Sequence, residues 1–105
     1  MTDPIPAAAV EPAWFVEATY APDAAETRVP FRPRHLARLA ELKAAGVLIE
    51  AGAFLDVSSS VMLVRAADEA AALDIARADV YLANGIWVEI RARAFGRMVI
   101  NDGGA

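Results

Sequence analysis

The single histidine of this 105-residue chain, His35, is the residue whose type and position best suit acid–base chemistry. It follows Arg32-Pro33-Arg34, and leucines at a helical spacing come after it: Leu36, Leu39 and Leu42. At about 100° per residue, His35 falls within roughly 40° of the centre of that apolar stripe. The spacing predicts an inward-facing imidazole, which is either a hydrogen-bonded structural residue or the titratable group of a pocket.

Two aspartates are candidates for orienting this imidazole as a general base, because a carboxylate that accepts from one ring nitrogen fixes the tautomer. Asp79 is the preferred partner: on a continued helix it lines up with the small residues Ala72, Ala76 and Ala83, which permit close approach. Asp23 ends a predicted strand, where a carboxylate opens onto the rim of the sheet. It is equally a turn-forming residue after Pro22.

Three further side chains are candidates for binding a substrate. Arg32 can hold a carboxylate or phenolate bidentately, or it can pair with a surface acid. Tyr81 can donate to a ligand oxygen, or it can pack at the edge of a subunit interface. Ser60 ends the serine run 58–60, which we predict to be a loop, and no base lies close to it in sequence.

The composition argues against several other classes of function. The net charge of −4 and the dispersed arginines argue against a nucleic-acid partner. The chain has no cysteine and one histidine, so we expect no disulfide, no metal site and no cofactor. No apolar run approaches the ~20 residues that span a bilayer, and the N-terminus lacks the pattern of a signal peptide. We therefore expect no membrane partner and a cytoplasmic protein.

The hydrophobic pattern divides the chain into six elements. Strands are predicted at 13–20, 47–54, 60–66 and 86–95, with helices at 33–45 and from an N-cap at Asp68 to about residue 84. The order β-α-β-β-α-β predicts an α+β, ferredoxin-like fold with an antiparallel sheet and both helices on one face. We expect a domain at 13–98 between flexible tails at 1–12 and 99–105. The uncovered sheet face predicts a homodimer or a higher oligomer.

Several motifs resemble those of YCII-related (YciI-like) proteins. They are Arg32-Pro33-Arg34-His35-Leu36, Glu50-Ala51-Gly52, Asp79-Val80-Tyr81 with Gly85, and the segment 20–23. The likeness extends over roughly residues 14–98. It departs from the family at Val80, where proline is usual, and the chain lacks the Asp-Gly-Pro-Phe motif of a branch linked to sigma factors.

The resemblance implies a dimeric α/β barrel whose pocket holds a histidine and one or two aspartates. Some relatives are small-molecule enzymes, including dehydrochlorinases of aromatic degradation. We therefore expect a cofactor-independent lyase or isomerase acting on a small organic ligand in the cavity. His35 would move a proton, Asp79 or Asp23 would orient it, and Arg32 would hold an anionic group. The alternative is a non-catalytic dimeric module that binds a ligand or a protein, with His35 and Asp79 forming a structural hydrogen bond.

Overall fold

The computed structural model describes residues 7–101 of the chain. Four strands and four helices follow one another in this part of the chain. In order they are β1 (Ala7–Tyr20), α1 (Ala24–Thr27), α2 (Arg32–Ala44), β2 (Leu48–Ala53), β3 (Ser59–Val64), α3 (Glu69–Arg77), α4 (Val80–Ala83) and β4 (Trp87–Asn101). None of the described helices has the length and apolar character that crossing a bilayer requires.

The strands form one sheet in the order β2-β3-β1-β4, and every neighbouring pair is antiparallel. The two strands that follow a helix-containing connection, β2 and β4, lie at the outer edges, and β1 and β3 lie between them. This topology confirms the predicted α+β, ferredoxin-like arrangement. The short helix α1, between the first predicted strand and the first predicted helix, is an addition to it.

The core lies on one face of the sheet. Side chains that alternate along the central strands point to this face and are buried: Val16, Ala18 and Tyr20 of β1, and Met62 and Val64 of β3. Ala72 and Ala76 of α3 pack into the same cluster, together with partly buried leucines of α2. Both main helices therefore cover the same face, as the sequence predicts.

The last predicted helix is broken in the structure. Instead of continuing to residue 84, α3 ends at Arg77, and Asp79 takes an extended conformation (φ −81°, ψ 139°) as the N-cap of α4. Its side chain accepts from the amide of Tyr81 at 2.9 Å. Aspartate competes with helical hydrogen bonds in this way, which is why it favours caps over helix interiors. The predicted N-cap at Asp68 is confirmed, since its carboxylate accepts from the Ala71 amide.

The outer ends of β1 and β4 extend beyond the predicted strands. The two strands pair residue by residue from Ala7 with Asn101 up to Thr19 with Glu89. Residues 7–12 and 99–101 therefore belong to the sheet, and their assignment to flexible tails is wrong. The proline- and alanine-rich start carries little strand propensity of its own, so pairing with a distant segment determines its conformation. The rest of the predicted tails, residues 1–6 and 102–105, lies outside the described residues.

Candidate active site

His35 lies in the first turns of α2 and is the buried residue of that helix. Pro33 occupies the first turn, where a missing N–H costs nothing. His35 is 7% exposed, whereas Leu36 beside it is 44% exposed. The inward orientation of His35 that the leucine spacing predicts is confirmed. The buried face of α2 is centred closer to His35 than the leucine spacing indicates, because Leu36 lies outside it.

Asp79 is the partner of His35. The Nδ1 atom of His35 lies 2.9 Å from both carboxylate oxygens of Asp79, whose side chain is fully buried. The carboxylate also accepts from the Tyr81 amide at 2.9 Å and from Nη1 of Arg38 at 3.2 Å. Three donors from two segments of the chain thus converge on one buried anion. Such pairing offsets the cost of burying a charge.

These contacts determine which nitrogen of His35 is free. Burial alone would raise the pKa of Asp79, but the hydrogen bonds from His35 and the Tyr81 amide and the charge of Arg38 hold that pKa below its ordinary value. The carboxylate is therefore ionised at neutral pH and can only accept hydrogen bonds. In the neutral imidazole, Nδ1 donates to Asp79, and Nε2 carries a lone pair. No hydrogen bond occupies Nε2 among residues 7–101.

A cavity of about 180 Å³ lies between α2, the sheet and α4, and His35 forms part of its wall. A cavity of about 150 Å³ is large enough to hold benzene. The space beside His35 is therefore suitable for a compound with a single ring. Leu36 and Leu39 supply apolar wall, and the lining also includes four residues that carry a hydroxyl or guanidinium group: Tyr81, Ser60, Arg28 and Arg32.

Aromatic rings hold the imidazole in place. The Tyr81 ring stacks on His35 with 3.9 Å between ring centres and 11° between planes. Trp87 meets both rings edge-on, at 5.4 Å from His35 and 5.5 Å from Tyr81. Together with the Asp79 hydrogen bond, this packing restricts rotation of the imidazole. Burial raises the pKa of the Tyr81 phenol, which keeps its proton at neutral pH and can act as a donor.

The predicted site residues fall into two groups. Arg32, Tyr81 and Ser60 all line the cavity that His35 lines. Ser60 does so as a buried residue of β3, in agreement with the strand predicted from residue 60, so the loop predicted for the serine run 58–60 is confined to Ser58. Asp23 is exposed at the start of α1, where its carbonyl accepts from the amides of Glu26 and Thr27. The structure does not bring Asp23 to His35, and its position matches the alternative of a turn residue.

Two arginines of the site were missed from the sequence. Arg38 lies three residues after His35, a spacing that puts side chains about 60° apart on a helix. That spacing could have identified it as a second partner of Asp79. Arg28 lies in the link before α2 and lines the cavity. No local pattern marks it, because its position depends on how the link folds back.

The described residues provide no metal centre: within 7–101, no three side chains of the histidine, cysteine, aspartate or glutamate type cluster closely enough to hold a metal ion. The residues at the cavity that carry reactive or polar groups are His35 with its carboxylate partner, two hydroxyl-bearing residues in addition to Tyr20, and two arginines.

Comparison with known proteins places this arrangement in a family. The fold resembles that of 5-chloro-2-hydroxyhydroquinone dehydrochlorinase from Burkholderia phenoliruptrix in complex with 2,5-dihydroxybenzoquinone, with a TM-score of 0.69 and 17% sequence identity over 79% of this chain and 92% of that chain. At this identity the likeness concerns the fold. No curated protein matches the sequence. The model of the YCII-related domain matches residues 13–96. Since this match covers most of the chain, the protein belongs to the family of YCII-related domain proteins.

Proposed function

We propose that this protein is a cofactor-independent enzyme that removes a proton from a small single-ring compound, with His35 as the base. The observation that carries the proposal is the state of the imidazole. Its Nδ1 atom is held by the ionised Asp79 at 2.9 Å, while Nε2 has no partner in the described chain and the ring borders a cavity of about 180 Å³. A base oriented in this way and open to a ligand is the usual arrangement for general base catalysis.

The proposed step is a proton transfer from the ring compound to Nε2 of His35. In an elimination, the substrate reacts as the keto tautomer with chloride on a tetrahedral ring carbon: His35 takes the proton of a conjugated ring hydroxyl, the O–H electron pair forms a carbonyl, the ring double bond shifts, and chloride leaves with its bonding pair. In an isomerisation, His35 takes a proton from a carbon beside a carbonyl, the C–H electron pair moves to that oxygen, and the imidazolium returns the proton to another carbon. Asp79 stabilises the imidazolium through the hydrogen bond that it already accepts.

Two observations support a ring compound as the substrate. The volume of the cavity matches one ring, and the stacked aromatic residues His35 and Tyr81 both line it. A solved protein of similar fold is a dehydrochlorinase and holds a dihydroxybenzoquinone. Elimination from a halogenated hydroxyquinol is therefore our first choice of reaction, and isomerisation of a related ring is the second.

The alternative is a binding module without catalysis, in which the His35–Asp79 pair only ties α2 to α4. Such a pair would be expected to have both ring nitrogens satisfied or enclosed by protein. The contact of His35 with the cavity favours the enzyme instead. The two functions are distinguished by whether the imidazole takes part in turnover.

The test measures chloride release from 5-chloro-2-hydroxyhydroquinone and, by NMR in D2O, deuterium exchange into a panel of hydroxyquinones and cyclic ketones. We expect turnover of at least one compound, and a loss of about a hundredfold or more in His35→Gln. Arg34→Gln, an exposed neighbour in the same helix, is the matched control and should be unaffected. Unchanged turnover in His35→Gln would rule out the proposed base. No turnover, with histidine NMR signals that respond to no ring compound, would favour the structural alternative.

We also propose that the functional unit is a homodimer formed through the sheet face that the helices leave uncovered. Phe15, Val61, Leu63 and Phe95 line a shallow apolar groove on this face. Sedimentation should give a dimer or a higher oligomer for the wild type and a smaller species for Phe95→Glu. Val29→Glu, an exposed apolar position away from this groove, serves as the control. A monomeric wild type would contradict the proposal. A cytoplasmic location stays a prediction.

A further inference from the structure

We infer that the cavity selects an anionic ring compound, with Arg28 and Arg32 binding the anionic oxygen and Tyr81 donating to a second oxygen. The inference rests on the cavity of the proposed function and adds the substrate class, but it does not depend on the reaction. Arg28 is the residue on which the inference depends most, and no local sequence pattern identifies it as a cavity residue.

The charge of the cavity wall is the first observation. Arg28 and Arg32 both line the cavity, and no aspartate or glutamate does so. Neither arginine forms a salt bridge with another residue of the described segment 7–101. Asp79 lies behind His35 and is already engaged by three donors. A chain with a net charge of −4 therefore presents two uncompensated cations at one cavity.

The two arginines are held one helical turn apart. The amide of Arg32 donates to the carbonyl of Arg28 at 2.8 Å, so the link before α2 is itself a helical turn. The guanidinium carbon of Arg28 lies 5.8 Å from the centre of the Tyr20 ring, a cation–π distance. Tyr20 in turn meets the Tyr81 ring edge-on at 6.3 Å. Arg28 is thus joined through aromatic contacts to the wall that holds His35.

The second observation is an unsatisfied donor in the interior. Tyr81 is 1% exposed, and its hydroxyl is buried without a hydrogen-bond partner among the described residues. A buried donor without a partner is costly, so each such group requires an explanation. The buried Ser60 also lines this cavity. A ligand oxygen that accepts from Tyr81 would satisfy the free donor.

Together these groups define the ligand by its chemistry. The arginines are the more exposed part of the wall, and Tyr81 and Ser60 are the buried part. The ligand therefore carries a carboxylate or ionised hydroxyl towards α1 and α2, and a carbonyl or hydroxyl oxygen towards Tyr81. Guanidinium groups recognise such anionic oxygens well because several N–H donors lie in one plane.

The test compares matched anionic and neutral probes on the full chain. Benzoate, 4-hydroxybenzoate and 2-hydroxybenzoate are each titrated against the corresponding primary amide, by calorimetry and by NMR of the single histidine. We expect the acids to bind about tenfold or more tightly than the amides, with an affinity that falls as salt increases. Arg28→Gln and Arg32→Gln should each weaken acid binding about three- to tenfold and leave the amides unchanged.

Arg34→Gln is the control, since Arg34 is exposed and does not line the cavity. An equal loss in Arg34→Gln and Arg28→Gln would show that only overall charge matters and would overturn the inference. So would equal binding of acids and amides, or no binding of any acid. Tyr81→Phe should weaken 4-hydroxybenzoate more than benzoate, and the reverse order would remove Tyr81 from the assignment. Acid selectivity in a wild-type protein that turns over none of the ring compounds would refute the proposed reaction and leave the anion site intact.

Discussion

The two faces of the sheet hold their charged side chains differently. On the helix-covered face, Asp79 is fully buried and held by His35, Arg38 and a backbone amide. On the open face, Glu17 pairs with Arg91 at 2.9 Å, and these side chains are 23% and 48% exposed. Exposed pairs contribute little and are screened by salt, whereas a buried charge is costly unless every donor is in place. The comparison predicts that losing one partner of the buried pair costs far more stability than losing one partner of the exposed pair.

The strongest way to test this comparison is Asp79→Asn. The substitution leaves the buried donors of His35 and Arg38 without their anion, so we expect the free energy of unfolding to fall by about 3–5 kcal/mol. Urea unfolding followed by circular dichroism measures this loss. Any catalytic turnover should fall as well, because the imidazole loses the group that orients it. A loss below about 1 kcal/mol would place Asp79 in the same class as the exposed pairs.

The pH dependence of the free energy of unfolding should also distinguish the buried Asp79 from the exposed charges of the open face. The pKa of Asp79 is lowered in the folded protein from an unfolded value of 3.8. Between these two values the unfolded chain binds more protons, so the contribution of Asp79 is present above the unfolded value and is lost as pH falls through the folded pKa. Unfolding measured from pH 7 to pH 2 should therefore show a decline in acid that is shallower in Asp79→Asn. An identical slope in both proteins would contradict this linkage.

Arg38→Gln tests the third partner of the carboxylate. The Arg38 side chain is 24% exposed and lies 3.2 Å from Asp79, so we expect a loss of about 1–2 kcal/mol, less than for Asp79→Asn. Removing this cation also removes one of the groups that hold the pKa of Asp79 down, so the decline of stability in acid should begin at higher pH. Arg34→Gln in the same helix should change neither quantity. A loss of stability without a moved acid decline would indicate that Arg38 acts through packing alone.

The smallest effect is expected on the open face. Glu17→Gln is made in the Phe95→Glu background, where the proposed dimer is broken and the open face is uncovered. It removes the anion that Arg91 and Ser59 contact, which water and salt already screen there. We expect a change within about 1 kcal/mol that becomes smaller in 1 M salt. Thermal unfolding at two salt concentrations measures it. A loss as large as that of Asp79→Asn would mean that the two faces do not differ in how they hold charge.

The sequence predicted a useful part of the site. The helical spacing of three leucines placed His35 on the inner side of α2, and the element order gave the sheet and the two helices on one face. The Asp68 cap could be read directly, because a cap depends on residues within one turn. The partnership of His35 with Asp79 was preferred over Asp23 partly through small residues on a helix that in fact ends before Asp79.

What the sequence determined by itself is therefore the type of each element, the inward turn of His35 and the absence of cysteine chemistry, since these follow from composition and from spacings of a few residues. Only the tertiary structure decided that the helix breaks at Asp79, that β1 and β4 pair as far as residues 7 and 101, and that Arg28 reaches the cavity. The physical reason is the separation of the interacting residues along the chain. Asp79 lies 44 residues from His35, and at such separations packing, not local propensity, determines which groups meet.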